Sequence, residues 1–94
     1  MFGINVTYTM KPGKREPFLA EIASCGAQEA VRKEKGCLQY DYFLCVEDPD
    51  KLLLVEKWTS REAQQVHMTQ PHMAQIAAIK ERYALETTLE KYDL

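Results

Sequence analysis

The stretch Cys37-Leu38-Gln39-Tyr40-Asp41-Tyr42-Phe43-Leu44-Cys45-Val46, followed by Glu47-Asp48-Pro49-Asp50 and then by Leu52 to Thr59, decides the architecture. Read with a period of two, Leu38, Tyr40, Tyr42, Leu44 and Val46 share one face, and Cys37, Gln39, Asp41, Phe43 and Cys45 the other. The acidic, proline-containing segment after it is a turn, so the two runs pair as an antiparallel hairpin. Both faces carry apolar groups, which a sheet with one wetted side would not.

Upstream, Phe2, Ile4, Val6, Tyr8 and Met10 alternate with Gly3, Asn5, Thr7 and Thr9, a first strand that Lys11-Pro12-Gly13 ends. From Lys14 the period becomes helical: Phe18, Leu19, Ile22, Ala23, Ala27, Ala30 and Val31 form one stripe, Pro17 sits in the tolerant first turn, and Glu34-Lys35-Gly36 closes the helix. Downstream, Ser60 caps a short helix reaching Met68. Pro71 then starts another through Met73, Ile76, Ala77 and Ile79. A last strand runs from Leu85 to Tyr92. The order β-α-β-β-α-β is that of the ferredoxin-like (split β-α-β) α+β fold, a four-stranded antiparallel sheet with its helices on one face. The second face needs a cover, and the same face of a second chain supplies it most simply, as a symmetric homodimer.

With 94 residues, 46% of them apolar and 28% charged, the chain is a single domain over residues 1–94 with a thin core. Twelve basic against fourteen acidic residues, with the basic ones scattered, argue against nucleic acid or an anionic membrane as partner. No apolar run approaches the roughly 20 residues of a membrane helix, and Met1 leads straight into a strand, so a soluble cytoplasmic protein is expected. The three cysteines, Cys25, Cys37 and Cys45, are odd in number and lack CxxC spacing, which points to reduced thiols rather than disulfides or zinc.

The residues with chemical potential cluster between Glu56 and Met73, where the single Trp and both His residues lie. Glu56 and Trp58 project to the same side as Leu52 and Leu54, an acid and an indole N–H on an apolar face. That makes them a pocket wall, or else a core aromatic with an ion-pair partner. His67 and His72 straddle a helix break and are not spaced for joint metal binding as HxxxH is, so no metal is expected. Either is a candidate base near neutral pH, and His67 is the preferred one. Asn5 is a candidate substrate contact or a polar edge residue. Tyr40 and Tyr42 read as packing aromatics with polar tips. No phosphate loop, nucleophile elbow, or flavin or nicotinamide fingerprint is present, so no cofactor is expected.

In Lys11-Pro12-Gly13, Glu34-Lys35-Gly36-Cys37-Leu38-Gln39-Tyr40-Asp41, Asp48-Pro49-Asp50, Glu56-Lys57-Trp58-Thr59-Ser60, and His67 with Pro71-His72-Met73, the chain resembles the antibiotic biosynthesis monooxygenase (ABM) domain family, in its YgiN-like quinol monooxygenase type. The resemblance spans nearly the whole chain. It implies a dimeric α/β barrel joined through its sheets, with a pocket between sheet and helices. It also implies oxygenation of a quinol-like or dihydroxyaromatic molecule by molecular oxygen without metal or flavin. Trp58 matches the strand-end Trp of the polyketide oxygenases. Leu54 and Gln64 replace their Asn and Tyr, which leaves His67 as the acid/base. Ala77 stands where the haem-degrading branch has its His ligand. The site so implied has His67 and Trp58 as catalytic residues, with Asn5, Tyr40, Glu56 and His72 around the substrate. Two rival readings are a proton-shuttling isomerase of a phosphorylated autoinducer-type ketone and a non-catalytic dimeric binding or stress-response module. Trp58, His67 and Asn5 lining one apolar cavity is the arrangement an enzyme requires.

Overall fold

A computed structural model describes all of residues 1–94. The elements are β1 (Phe2–Met10), α1 (Arg15–Ser24), α2 (Ala27–Arg32), β2 (Cys37–Leu44), β3 (Lys51–Trp58), α3 (Arg61–His67), α4 (His72–Tyr83) and β4 (Ala84–Asp93). The strands form one antiparallel sheet in the order β2-β3-β1-β4, the ferredoxin-like arrangement. Central β1 pairs Val6 with Leu54 on one side and with Leu89 on the other.

Directly paired residues point to the same side of a sheet. The helix-covered face therefore collects Phe2, Ile4, Val6, Tyr8 and Met10 from β1, Tyr40 and Tyr42 from β2, and Leu52, Leu54, Glu56 and Trp58 from β3. Phe18, Ile22, Val31, Ile76 and Ile79 of the helices close over it. Each large apolar side chain so buried contributes about 1.5–3 kcal/mol relative to exposure. The hairpin turn is tied down from outside, because Arg15 Nη1 donates to the carbonyls of Cys45, Asp48 and Lys51 at 3.2–3.3 Å.

Three features differ from the periodicity reading. The long first helix is two, because Gly26 takes φ 72° and turns the chain between α1 and α2. β2 stops at Leu44, leaving Val46 solvent-exposed, and a register shift between Cys37 and Gln39 bulges Leu38 out. Cys37 consequently lies opposite Trp58 and packs against the core with Tyr40, not on the face of Gln39. The open face is also more polar than expected, since β2 gives it Gln39 and Asp41 beside Phe43. Its apolar part is Phe43, Leu53 and Val55, while β1 adds Asn5, Thr7 and Thr9.

Candidate active site

Alternation along β3 puts Glu56 and Trp58 side by side under the helices, and Trp58 Nε1 donates to Glu56 Oε1 at 3.1 Å. Trp58 is fully buried and Glu56 only 7% exposed. Burial pushes the Glu56 carboxyl above the ordinary carboxylate value; the Trp58 hydrogen bond and the His67 ring hold it down in part, and the Glu34 carboxylate pushes it up. Tyr40 is directly opposite Glu56 in the β2–β3 register.

His67 ends α3, whose start is fixed by Ser60 Oγ accepting from the Ala63 N–H at 3.1 Å. The imidazole is buried, 4.7 Å from the Trp58 ring between centroids. Its Nδ1 lies 2.8 Å from Glu34 Oε2 and its Nε2 4.0 Å from Glu56 Oε1. His72, the first residue of α4, brings Nε2 within 2.7 Å of the same Glu34 oxygen. A polar string, His72–Glu34–His67–Glu56–Trp58, thus runs through the core, hydrogen-bonded at every step except the 4.0 Å gap between His67 and Glu56.

Beside it, between the sheet and α3–α4, lies a cavity of about 410 Å³ walled mainly by apolar side chains such as Val6, Leu54, Met73 and Ile76. Its polar points are Tyr8, Tyr40, Glu56, Lys80 and Thr87. Burial holds the phenols of Tyr8 and Tyr40 far above their usual range, so both enter the cavity as neutral hydrogen-bonding groups. Leu89, also on the wall, is 56% exposed, and the cavity opens along the β4 edge.

Of the residues singled out in the sequence, Glu56 and Tyr40 reach the cavity wall. Trp58 and His67, read as the catalytic pair, stand behind Glu56 and do not line the cavity, so the expected arrangement of Trp58, His67 and Asn5 around one cavity is not formed; His72 joins them through Glu34. Asn5 is a correction: β1 alternation turns it to the opposite face of the sheet, where its Oδ1 accepts from the Tyr92 hydroxyl at 3.2 Å. The separation of the two histidines is a second correction. The turn at Thr69–Pro71 brings their rings to 6.5 Å, so Glu34, His67 and His72 present donor atoms within 4.8 Å of one another. Glu34, Tyr8 and Lys80 were not singled out. Glu34 reads as a helix terminator beside Gly36, and only packing of the α2–β2 loop against α3 and α4 gives it two imidazoles.

Sheet order, buried acid–imidazole pair and adjoining apolar cavity define a small ferredoxin-like domain built around one enclosed polar string. The chain belongs to the antibiotic biosynthesis monooxygenase (ABM) family, whose model matches residues 1–79 and so includes every residue of that string. It is 36% identical over 63 residues to a Bacillus subtilis (strain 168) protein named "Putative monooxygenase YcnE". That match covers 67% of this chain and 64% of the relative, less than two thirds of the relative's length. Among solved structures, a protein of Bacteroides thetaiotaomicron described as of unknown function and "Possible Oxidoreductase" superimposes with a TM-score of 0.87 at 27% identity, over 99% of this chain and 96% of that one. A Nitrosomonas europaea protein titled "Putative antibiotic biosynthesis monooxygenase" reaches 0.89 at 21% identity over 100% and 98%, a likeness of fold.

Proposed function

We propose that the cavity binds a small quinol-like or dihydroxyaromatic molecule and that the protein oxygenates it with molecular oxygen, the substrate supplying the electrons. The observation that carries this reading is Glu56, a buried carboxyl on the wall of an apolar cavity with His67 Nε2 4.0 Å from its Oε1. An aromatic ring fits the apolar walls, and its hydroxyl meets Glu56, Tyr40 and Tyr8. Glu56 takes the phenolic proton and exchanges it with His67, whose Nδ1–H is held by Glu34. Trp58 fixes the Glu56 carboxyl through its indole N–H. The phenolate passes one electron to oxygen, and the radical pair joins as a carbon-bound peroxide anion that takes the stored proton back. Loss of water with the hydrogen of that ring carbon leaves a quinone carbonyl. One oxygen atom stays in the product and the other leaves as water.

A phosphorylated ketone fits less well, since Lys80 is the single cation on the wall and a phosphate calls for several donors. Oxygen uptake with a panel of hydroquinones, comparing the parent with Glu56→Gln and His67→Ala, tests the reading. Uptake in the parent falling by about 10²–10⁴-fold in Glu56→Gln is the expected result. Uptake that neither substitution alters excludes the mechanism, and none at all in the parent favours an isomerase or a binding module.

We further propose that the working form is a homodimer through the open sheet face, where Phe43, Leu53 and Val55 form the apolar centre. The three unpaired thiols fit a reducing, cytoplasmic setting.

A further inference from the structure

The proton exchange on the cavity side makes no use of His72, yet His72 is built into the same string. Glu34 Oε2 stands 2.8 Å from His67 Nδ1 and 2.7 Å from His72 Nε2, and the three donor atoms fall within 4.8 Å of one another. They come from three segments: the loop after α2, the last residue of α3 and the first of α4. We propose that Glu34, His67 and His72 bind one divalent first-row transition ion of the zinc or cobalt(II) kind, through one carboxylate oxygen and two imidazole nitrogens.

Two imidazoles and a carboxylate are a donor set suited to such borderline ions rather than to calcium or magnesium. At bond lengths of about 2.0–2.2 Å, donors around one ion stand roughly 3–3.5 Å apart, so the Glu34 carboxylate has to move outward and the His72 ring, the more exposed of the two, has to close on His67 by about 1–1.5 Å to hold it. A metal-bound imidazole characteristically directs its other ring N–H at a carboxylate. Glu56 is the carboxylate on that side of the ring: its Oε1 is 4.0 Å from His67 Nε2, outside hydrogen-bond distance by about 1 Å, and is itself held by Trp58 Nε1 at 3.1 Å. The surroundings also leave a way in. The His67 side chain is closed off at 1% exposure, while that of His72 is 17% exposed, so the ion approaches from the His72 side and keeps positions for water. A bound ion takes the Nδ1 lone pair and moves the ring proton to Nε2. Metal-bound and proton-exchanging states of His67 therefore exclude each other, but ion binding itself does not depend on what the cavity turns over.

The test uses full-length protein stripped with a chelator, titrated calorimetrically with zinc and followed by absorption with cobalt(II). One ion per chain with micromolar or tighter affinity is expected. Glu34→Gln and His72→Ala, each verified as folded by circular dichroism, should weaken zinc by at least about tenfold, the loss already typical of an outer-shell partner. Cys37→Ser should bind as the parent does. The proposal is overturned if the parent binds zinc only at millimolar concentration or if both site variants bind as tightly as the parent. A thiolate charge-transfer band in the cobalt spectrum also overturns it, a readout on the parent alone that needs no variant to fold. Oxygen uptake enters none of these measurements, so failure of the site and failure of the oxygenase reading are seen separately.

Discussion

Glu56 is held between opposing influences: burial raises its carboxyl, and the Trp58 hydrogen bond and the His67 ring lower it. A carboxyl raised in the folded state contributes stability that is fully present below its unfolded value, about 4.5, and is lost as pH rises through the folded value. Glu56→Gln removes that dependence. Urea midpoints of the parent should therefore decline more steeply with pH above 4.5 than those of the variant, and parallel curves would contradict the raised value. At this scale the sequence was legible in part. Glu56 and Trp58 were visible as a polar pair on an apolar face because strand alternation is local. Glu34 was not, because a carboxylate in a loop next to Gly36 acquires its role from residues more than thirty positions away. Asn5 carried the right chemistry for a substrate contact and the wrong parity, since β1 turns its even-numbered side chains to the helices.

The short helix α3 bears one of the two central groups of the site at its C-terminal residue. Seven residues make a marginal helix unless an end is fixed, and Ser60 fixes the first turn by accepting the Ala63 N–H. Ser60→Ala should cost about 1 kcal/mol in global stability, read from chemical denaturation. Its larger effect should be local, with faster amide exchange across α3 than across α4, and uniform exchange in both would show that the cap does not hold the site. Element boundaries were readable where side-chain period changes, at Met10 and Pro71, and to within one residue at the end of β3, read as Thr59 and found at Trp58. They failed where backbone conformation decided, as at Gly26, whose φ of 72° divides the first helix, and at the Leu38 bulge. Gly36 reads as a helix terminator, but its φ of 87° serves a close approach as well. A Cβ there would meet Ala63 Cβ and Thr59 Oγ1 at 2.7 Å, so the loop that carries Glu34 lies flush against α3.

For the molecule as a whole, the helices leave Phe43, Leu53 and Val55 uncovered on the far side of the sheet. Light scattering after size exclusion should give twice the chain mass at micromolar concentration, and Val55→Asp together with Phe43→Asp should shift it to the monomer. A monomeric parent would remove the dimer. Because the buried core lies between the sheet and the helices, away from the open face, such a monomer should keep its fold by circular dichroism, with a lower melting temperature. No helix is long and apolar enough to cross a membrane, as the hydropathy of the sequence already indicated.

Periodicities of two and 3.6, a proline-bearing turn and one serine cap were enough to determine the order of elements and the ferredoxin-like sheet, because those signals act between near neighbours in the chain. They also determined which side of β3 is buried, and so that Glu56 and Trp58 lie in the interior. Tertiary structure alone decided that Glu56 faces the cavity with His67 behind it, that Glu34 joins two histidines, and that Asn5 lies outside. Those relations depend on where three separate segments close over the sheet, and hydrogen-bond geometry between distant residues leaves no periodic trace in sequence.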